Sequence, residues 1–325
     1  MDDILVVNDL CKYYVKKNFF GKKSLPVKAA DGISFSIKAG SVFVLAGESG
    51  SGKSTIARLI LGAEEADHGM IYFNGNRVDY ATGNGVKKMR AECQMVHQNP
   101  YDSVNPRMRI SDIVMEPLHI HHWGNNKKDR MQRMFQVLRE VKLEPVEDIA
   151  EMFPHQLSGG QRQRVVLARA LTLKPKIIIA DEPVSMLDVS IRAEMLGIME
   201  SLQKRSNIAF LYITHDLSTA KYFGNEIAIM YKGRIVELGP VRTVLDDPRH
   251  PYTQALIDAV SDLDPKNLNK KKTIRILNNK TKDFEGCAFH PRCPYAVENC
   301  MKEPKLKEID VDRKVSCFVP IRARS

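Results

Sequence analysis

The stretch Ser41-Val42-Phe43-Val44-Leu45-Ala46-Gly47-Glu48-Ser49-Gly50-Ser51-Gly52-Lys53-Ser54 decides how the rest of the chain is read. Its first six residues form a buried-strand pattern. Gly47 to Ser54 then fits G-x-x-x-x-G-K-[ST], a motif that needs a strand before it and a helix after it. Residues 54–61 have helical character, so both flanks are present. Glycines let successive backbone N–H groups wrap phosphates, and the helix N-terminus adds positive potential. Lys53 is expected to reach the β- and γ-phosphates and the Ser54 hydroxyl to bind Mg²⁺. The candidate cradle is Gly47, Glu48, Ser49, Gly50, Ser51, Gly52, Lys53, Ser54 and Thr55.

Strand patterns recur on both sides. Alternation over residues 4–7 and 33–37 predicts early strands, with Asp31-Gly32 as the turn before the second. Residues 70–73 predict another, closed by Asn74-Gly75, a strong turn signal. Ile177-Ile178-Ile179 is a β-branched triplet, typical of a parallel strand covered on both faces. Residues 208–213, 226–230 and 235–238 read as strands, the last two joined through Lys232-Gly233. A mainly helical insert is expected over about 99–155, with Met134, Phe135, Leu138 and Val141 on one helical face, and residues 160–171 read as a further helix. Strands alternating with helices imply a parallel α/β sheet. Beyond about Gly239-Pro240 the pattern lapses, and residues 266–282, with seven basic residues and no acid, predict an exposed linker or arm.

The 325 residues allow one large core with an appendage, or two domains. With 49 Lys+Arg against 39 Asp+Glu the net charge is +10, which permits an anionic partner without naming one. No apolar run approaches the roughly 18–20 residues that cross a bilayer. The opening Met1-Asp2-Asp3-Ile4 lacks the basic and apolar segments of a signal peptide, so export is not expected. Cys11 and Cys93 stand alone and read as small buried hydrophobes, whereas Cys287, Cys293, Cys300 and Cys317 cluster. Without an export signal, such clustering points to a metal or iron–sulfur site rather than to disulfides.

Asp181-Glu182 puts two carboxylates at the end of the Ile177-Ile178-Ile179 strand, beside the phosphate loop in a parallel sheet. Asp181 is suited to hold Mg²⁺, and Glu182 to accept a proton from an attacking water. Leu157-Ser158-Gly159-Gly160-Gln161 precedes a helix that Ser158 can cap, and its glycines expose amides that make a second phosphate-binding surface. Two such surfaces suggest a composite site. Thr214-His215-Asp216 follows the 208–213 strand, so His215 should emerge at the same sheet edge. His119, His121 and His122 have no supporting Cys or carboxylate pattern and read as helix surface or loop.

The order phosphate loop, Gln98, Leu-Ser-Gly-Gly-Gln, Asp-Glu, Ser185-Met186-Leu187-Asp188, then His215 resembles an ABC-type ATPase. The resemblance implies a P-loop NTPase cassette: a RecA-like parallel core with a β-subdomain and a helical subdomain. It implies ATP held between the P-loop of one cassette and Ser158, Gly159, Gly160 and Gln161 of another, paired head to tail. Tyr14 would stack on adenine, with Tyr13 as the alternative. Gln98 would sense Mg²⁺ and the γ-phosphate, Asp188 would bridge subunits, and His215 would contact the γ-phosphate.

Residues 98–107, Gln98-Asn99-Pro100-Tyr101-Asp102-Ser103-Val104-Asn105-Pro106-Arg107, resemble the segment after the sensor Gln in oligopeptide, dipeptide and nickel importers. His250-Pro251-Tyr252-Thr253 with Ala255-Leu256 is similar to that class's C-terminal signature. In several members the region of Cys287-x5-Cys293-x6-Cys300-x16-Cys317 holds a [4Fe–4S] cluster, so the resemblance makes these four its candidate ligands. Four thiolates also suit zinc, although no Cys-x-x-Cys pair occurs.

The expectation is therefore a cassette over residues 1–240, with a helical subdomain at about 99–170 and a small Cys-rich extension at 241–325. The chain would be the ATP-hydrolysing subunit of a peptide importer, peripheral on the cytoplasmic membrane face, using ATP, Mg²⁺ and the cluster. Its partners would be a sister ATPase (or a second copy), two membrane permeases and, indirectly, a solute-binding protein, with no nucleic acid. Gln161-Arg162-Gln163-Arg164 resembles the second of the two ATPases such systems encode. The alternatives are a nickel or oligosaccharide importer of the same family, or an ABC-type ATPase not coupled to transport. A DNA-repair type would need a long coiled coil between Gly47 and Leu157, and a ribosomal type a second cassette.

Overall fold

The computed structural model describes residues 3–15, 26–78, 83–261 and 286–321, so the basic run 266–282 lies outside the described residues. The chain forms β1 (Asp3–Tyr14), β2 (Val27–Lys38), β3 (Val42–Ala46), α1 (Lys53–Ile60), β4 (His68–Phe73), β5 (Asn76–Arg77), α2 (Gly83–Glu92) and β6 (Cys93–Val96). Helices α3 (Ile110–Ile120), α4 (Lys127–Glu140), α5 (Val146–Glu151) and α6 (Gly159–Leu171) follow. Then come β7 (Ile177–Asp181), α7 (Val189–Ser206), β8 (Ala209–Thr214), α8 (Leu217–Phe223), β9 (Glu226–Tyr231) and β10 (Arg234–Pro240). The last elements are α9 (Val241–Asp246), α10 (Pro251–Ser261), β11 (Lys307–Asp310) and β12 (Arg313–Val315).

Alternate residues of the central strands enter opposite cores. Val42, Val44, Ile178, Phe210 and Tyr212 face a core shared with α3 to α8. Phe43, Leu45, Ile177, Ile179 and Leu211 face the other, shared with α1 and the small sheet β2-β1-β4-β5. Both faces are covered, as the β-branched triplet predicts, and each such buried side chain contributes roughly 1.5–3 kcal/mol. The large sheet has the order β11-β12-β10-β9-β3-β8-β7-β6. Its strands from β9 to β6 are parallel, while β10, β12 and β11 add on antiparallel. Among the described residues no helix is long and apolar enough to cross a membrane.

Three expectations are corrected. Asp31-Gly32 is not a turn: β2 runs straight through it, with Gly32 at φ 71° and the Asp31 N–H bonded to the Gly233 carbonyl at 2.9 Å, an irregularity within the strand rather than its start. Helix α2 and strand β6 lie where no strand or helix pattern was read, and β6 pairs with β7 at the sheet edge. The pattern does not lapse after Pro240 either, since α9 and α10 follow and β12 extends the main sheet through β10. Asn74-Gly75 and Lys232-Gly233 do form tight turns, with all four residues at positive φ. His119, His121 and His122 lie at the end of α3 and just beyond, as expected.

Candidate functional site

Four neighbouring parallel strands deliver motif residues at their C-terminal ends, the crevice where ligands bind in open α/β sheets. Strand β3 runs into the Gly47 loop, β7 ends at Asp181 before Glu182, β8 ends before His215, and Gln98 lies two residues beyond β6. The side chains meet. Glu182 Oε1 is 2.9 Å from His215 Nδ1, and Glu182 Oε2 accepts from Gln98 Nε2 at 2.9 Å. Glu182 itself sits at φ 49°, a left-handed conformation that costs a non-glycine residue about 1–3 kcal/mol.

The loop between β3 and α1 has the shape the motif predicts. Gly47, Gly50 and Gly52 all have positive φ, and a Cβ on Gly47 would lie 2.2 Å from the Met230 carbonyl oxygen. A Cβ on Gly50 would meet nothing within 4 Å beyond its chain neighbours, which leaves the loop open on that side. The buried Lys53 ammonium donates to the Gly47 carbonyl at 2.8 Å and the Glu48 carbonyl at 2.9 Å. Burial lowers its pKa, opposed by the carboxylates of Glu182, Asp181 and Glu48. Burial likewise raises the Asp181 pKa, opposed by a hydrogen bond from Ser54. Asp181 and Ser54 thus form a paired oxygen set of the kind that suits Mg²⁺.

Tyr14 lies beside α1. Its hydroxyl contacts Glu64 and Thr55, while the Tyr13 hydroxyl donates to Asp31 on β2 at 2.7 Å. The remaining sequence-chosen residues are not drawn to the loop by hydrogen bonds. Ser158 and Gln161 bond each other in a capping box at the start of α6, at 3.2 and 2.9 Å. Gly159 faces open space, and Gly160 packs on Ile191. Asp188 is exposed at the start of α7, between exposed Met186 and Val189. Ser49 and Ser51 remain within the loop, the Ser51 N–H bonding the Glu48 carbonyl at 3.2 Å.

Sequence reasoning missed two contacts to the loop. The Glu48 N–H donates to the Tyr252 hydroxyl at 2.9 Å, and Arg292 grips both Glu48 carboxylate oxygens at 3.1 and 3.0 Å. Tyr252 and Arg292 fall in stretches recognisable as signatures, but nothing local links either to residue 48.

Cys287, Cys293, Cys300 and Cys317 line one small cavity with His250, Phe289 and His290. Burial raises the thiol pKa of Cys287 and Cys293 and pushes that of Cys317 up to about 11. Backbone N–H groups of Phe289, Tyr295 and Val319 oppose this by bonding the sulfurs of Cys287, Cys293 and Cys317. The expected metal site is nevertheless not formed. Among the described residues no group of three or more His, Cys, Asp or Glu is arranged to hold a metal ion, and the four cysteines are free, Cys293 and Cys300 buried and Cys287 and Cys317 half-buried.

Fold and loop together define a P-loop nucleotide-binding cassette with a second, C-terminal region. The family model for the ABC transporter matches residues 30–185, and that for the oligopeptide/dipeptide transporter C-terminal region matches residues 236–300. A di/tripeptide transport ATP-binding protein, DppF of Pseudomonas aeruginosa, is 40% identical, with 98% of each chain covered. The dipeptide transport ATP-binding protein DppF of Escherichia coli is 39% identical over 97% of this chain and 94% of its own. The chain therefore belongs to the family of ATP-binding proteins of ABC transporters. Among solved structures, cbiO1 of Clostridium perfringens superposes with a TM-score of 0.66 at 25% identity, covering 82% of this chain and 98% of that one. The cassette MJ0796, a dimer bound to ADP and Pi, superposes with a TM-score of 0.64 at 27% identity, covering 73% of this chain and 99% of its own.

Proposed function

We propose that this chain hydrolyses ATP to drive a peptide importer, bound to the cytoplasmic face of the membrane through its permeases. The observation that carries the reading is Glu182, held between Gln98 and His215 at the strand ends beside buried Lys53. Relatives named for dipeptide and oligopeptide transport supply the cargo class.

In this reading the triphosphate lies along residues 47–55, with Lys53 leaving the loop carbonyls for the β- and γ-phosphates. Ser54, Asp181 and Gln98 would hold Mg²⁺, which when bound offsets phosphate charge. Glu182 takes the proton of a water whose oxygen bonds the γ-phosphorus, while the bond to the ADP oxygen breaks. His215 donates to the γ-phosphoryl oxygens as their charge grows. Tyr14 stacks on adenine, a reading supported by its contact with Thr55 at the start of α1. Ser158, Gly159, Gly160, Gln161 and Asp188 serve a second cassette's nucleotide, a reading supported by the exposure of Ser158 and Asp188 and the open space at Gly159. That second cassette is a sister ATPase, with a second copy of this chain as the other arrangement. No nucleic acid is involved.

The cassette would span 1–240 with its helical subdomain at 99–170, and 241–325 would form the extension. Its four cysteines fit a [4Fe–4S] cluster in donor type and in sharing one cavity, with backbone N–H groups already directed at three sulfurs. Iron bound there would cross-link the tail. Anaerobic purification with iron and sulfide analysis should find about four of each per chain. Zinc alone, or neither, contradicts the cluster. For the function, vesicles carrying the permeases should show ATP hydrolysis stimulated by a peptide-loaded binding protein. Stimulation by Ni²⁺ or oligosaccharide carriers instead would overturn the peptide assignment.

A further inference from the structure

Glu48, the second residue of the phosphate loop, has all its polar groups engaged, mostly by the C-terminal region. Its N–H donates to the buried Tyr252 hydroxyl at 2.9 Å, and its carbonyl accepts from Lys53 at 2.9 Å. Arg292 donates to its two carboxylate oxygens at 3.1 and 3.0 Å. The guanidinium is held in its turn. It lies 5.7 Å from the ring centres of both Tyr231 and Phe289 and donates to the Tyr231 hydroxyl at 3.3 Å. Tyr252 packs on the same two rings, at 4.6 and 5.5 Å. An aromatic platform built from β9, α10 and the cysteine-bearing tail therefore presents a planar fork to one loop carboxylate.

We propose that Arg292 and Tyr252 are positioning residues for the nucleotide, fixing Glu48 so that the C-terminal tail sets the affinity of the phosphate loop. Glu48 is the hinge of the effect because its carbonyl holds the Lys53 ammonium in waiting. A free Glu48 lets the loop's first turn wander, and ordering it again opposes nucleotide binding. A merely cosmetic surface pair would need no buried hydroxyl on the backbone N–H of the same residue.

The inference rests on the loop being the ATP site, and the test separates the two claims. Equilibrium binding of MgATP to the full chain is compared for the parent, Lys53→Ala, Arg292→Ala, Glu48→Gln, Tyr252→Phe and the Arg292→Ala/Glu48→Gln pair. The parent should bind and Lys53→Ala should not. If Lys53→Ala binds like the parent, the site reading itself fails. Arg292→Ala and Glu48→Gln should each weaken binding about three- to tenfold. The double variant should be no weaker than either single one, because both remove one contact. Arg292→Lys should recover part of the loss and remains informative if Arg292→Ala fails to fold. In steady state, Arg292→Ala should raise KM for ATP while kcat moves less than about twofold. Unchanged affinity in Arg292→Ala with Lys53→Ala inactive, or additive losses in the double variant, would overturn the proposal.

Discussion

Glu182, just past the end of β7, and Glu237, within β10, sit at strands of the same sheet, and each is gripped from more than one side, but their partners differ in kind. Glu182, its side chain 16% exposed, is held by two side chains, Gln98 and His215, the latter 56% exposed. Glu237 on β10 is fully buried and accepts the backbone N–H groups of Arg249 and His250, both at 2.9 Å, plus Arg313 at 2.7 Å. Arg313 is 1% exposed and also reaches Asp247. Water or a ligand can replace the partners of Glu182 at small cost. Those of Glu237 are locked into the join between β10, β12 and the loop before α10. The parallel strand ends are built for exchange, and the antiparallel seam for permanence.

Breaking the seam should have the largest effect on stability. Arg313→Ala strands a buried carboxylate and should cost about 3–5 kcal/mol in urea unfolding. A loss below about 1 kcal/mol would erase the contrast. His250, beside Glu237, gives a pH test. Burial pushes its pKa down to about 4, so it stays neutral in the fold. The unfolded chain protonates near pH 6.5, so from there down to about pH 4 the unfolded state binds more protons and stability falls. The slope should reach about 1.4 kcal/mol per pH unit. His250→Asn should flatten that limb, and an unchanged slope would assign the acid sensitivity elsewhere. At the other extreme, the exposed Lys204–Glu200 pair on α7 should contribute at most about 0.5 kcal/mol, measured by a double-mutant cycle. A larger coupling would show that exposure is the wrong yardstick for this molecule.

The same contrast decided what could be read in advance. Asp181, Glu182, Gln98 and His215 sit in or just after strands, and Lys53 opens the helix after the glycine loop that follows β3, so a strand pattern followed by the right residues was enough to collect them. Strand β6 escaped because it has four residues, with Gln94 and Met95 only half-buried, and follows a hydrophilic helix. The tail strands escaped for a different reason. All of β11 is exposed, and β12 buries Arg313 and Val315, so its largest inward residue carries a charge that hydrophobic patterning counts as surface. Arg292 and Tyr252 act on Glu48 across 244 and 204 residues of chain, a pairing no local pattern encodes.

The central claim, that Glu182 takes the proton from the attacking water, is tested most directly by single-turnover hydrolysis with Glu182→Gln. Glutamine keeps the shape and the bond to Gln98 or His215 but cannot accept that proton. The variant should bind ATP like the parent, retain it uncleaved, and release phosphate about 10²–10⁴-fold more slowly. Phosphate release at the parent's rate would contradict the account.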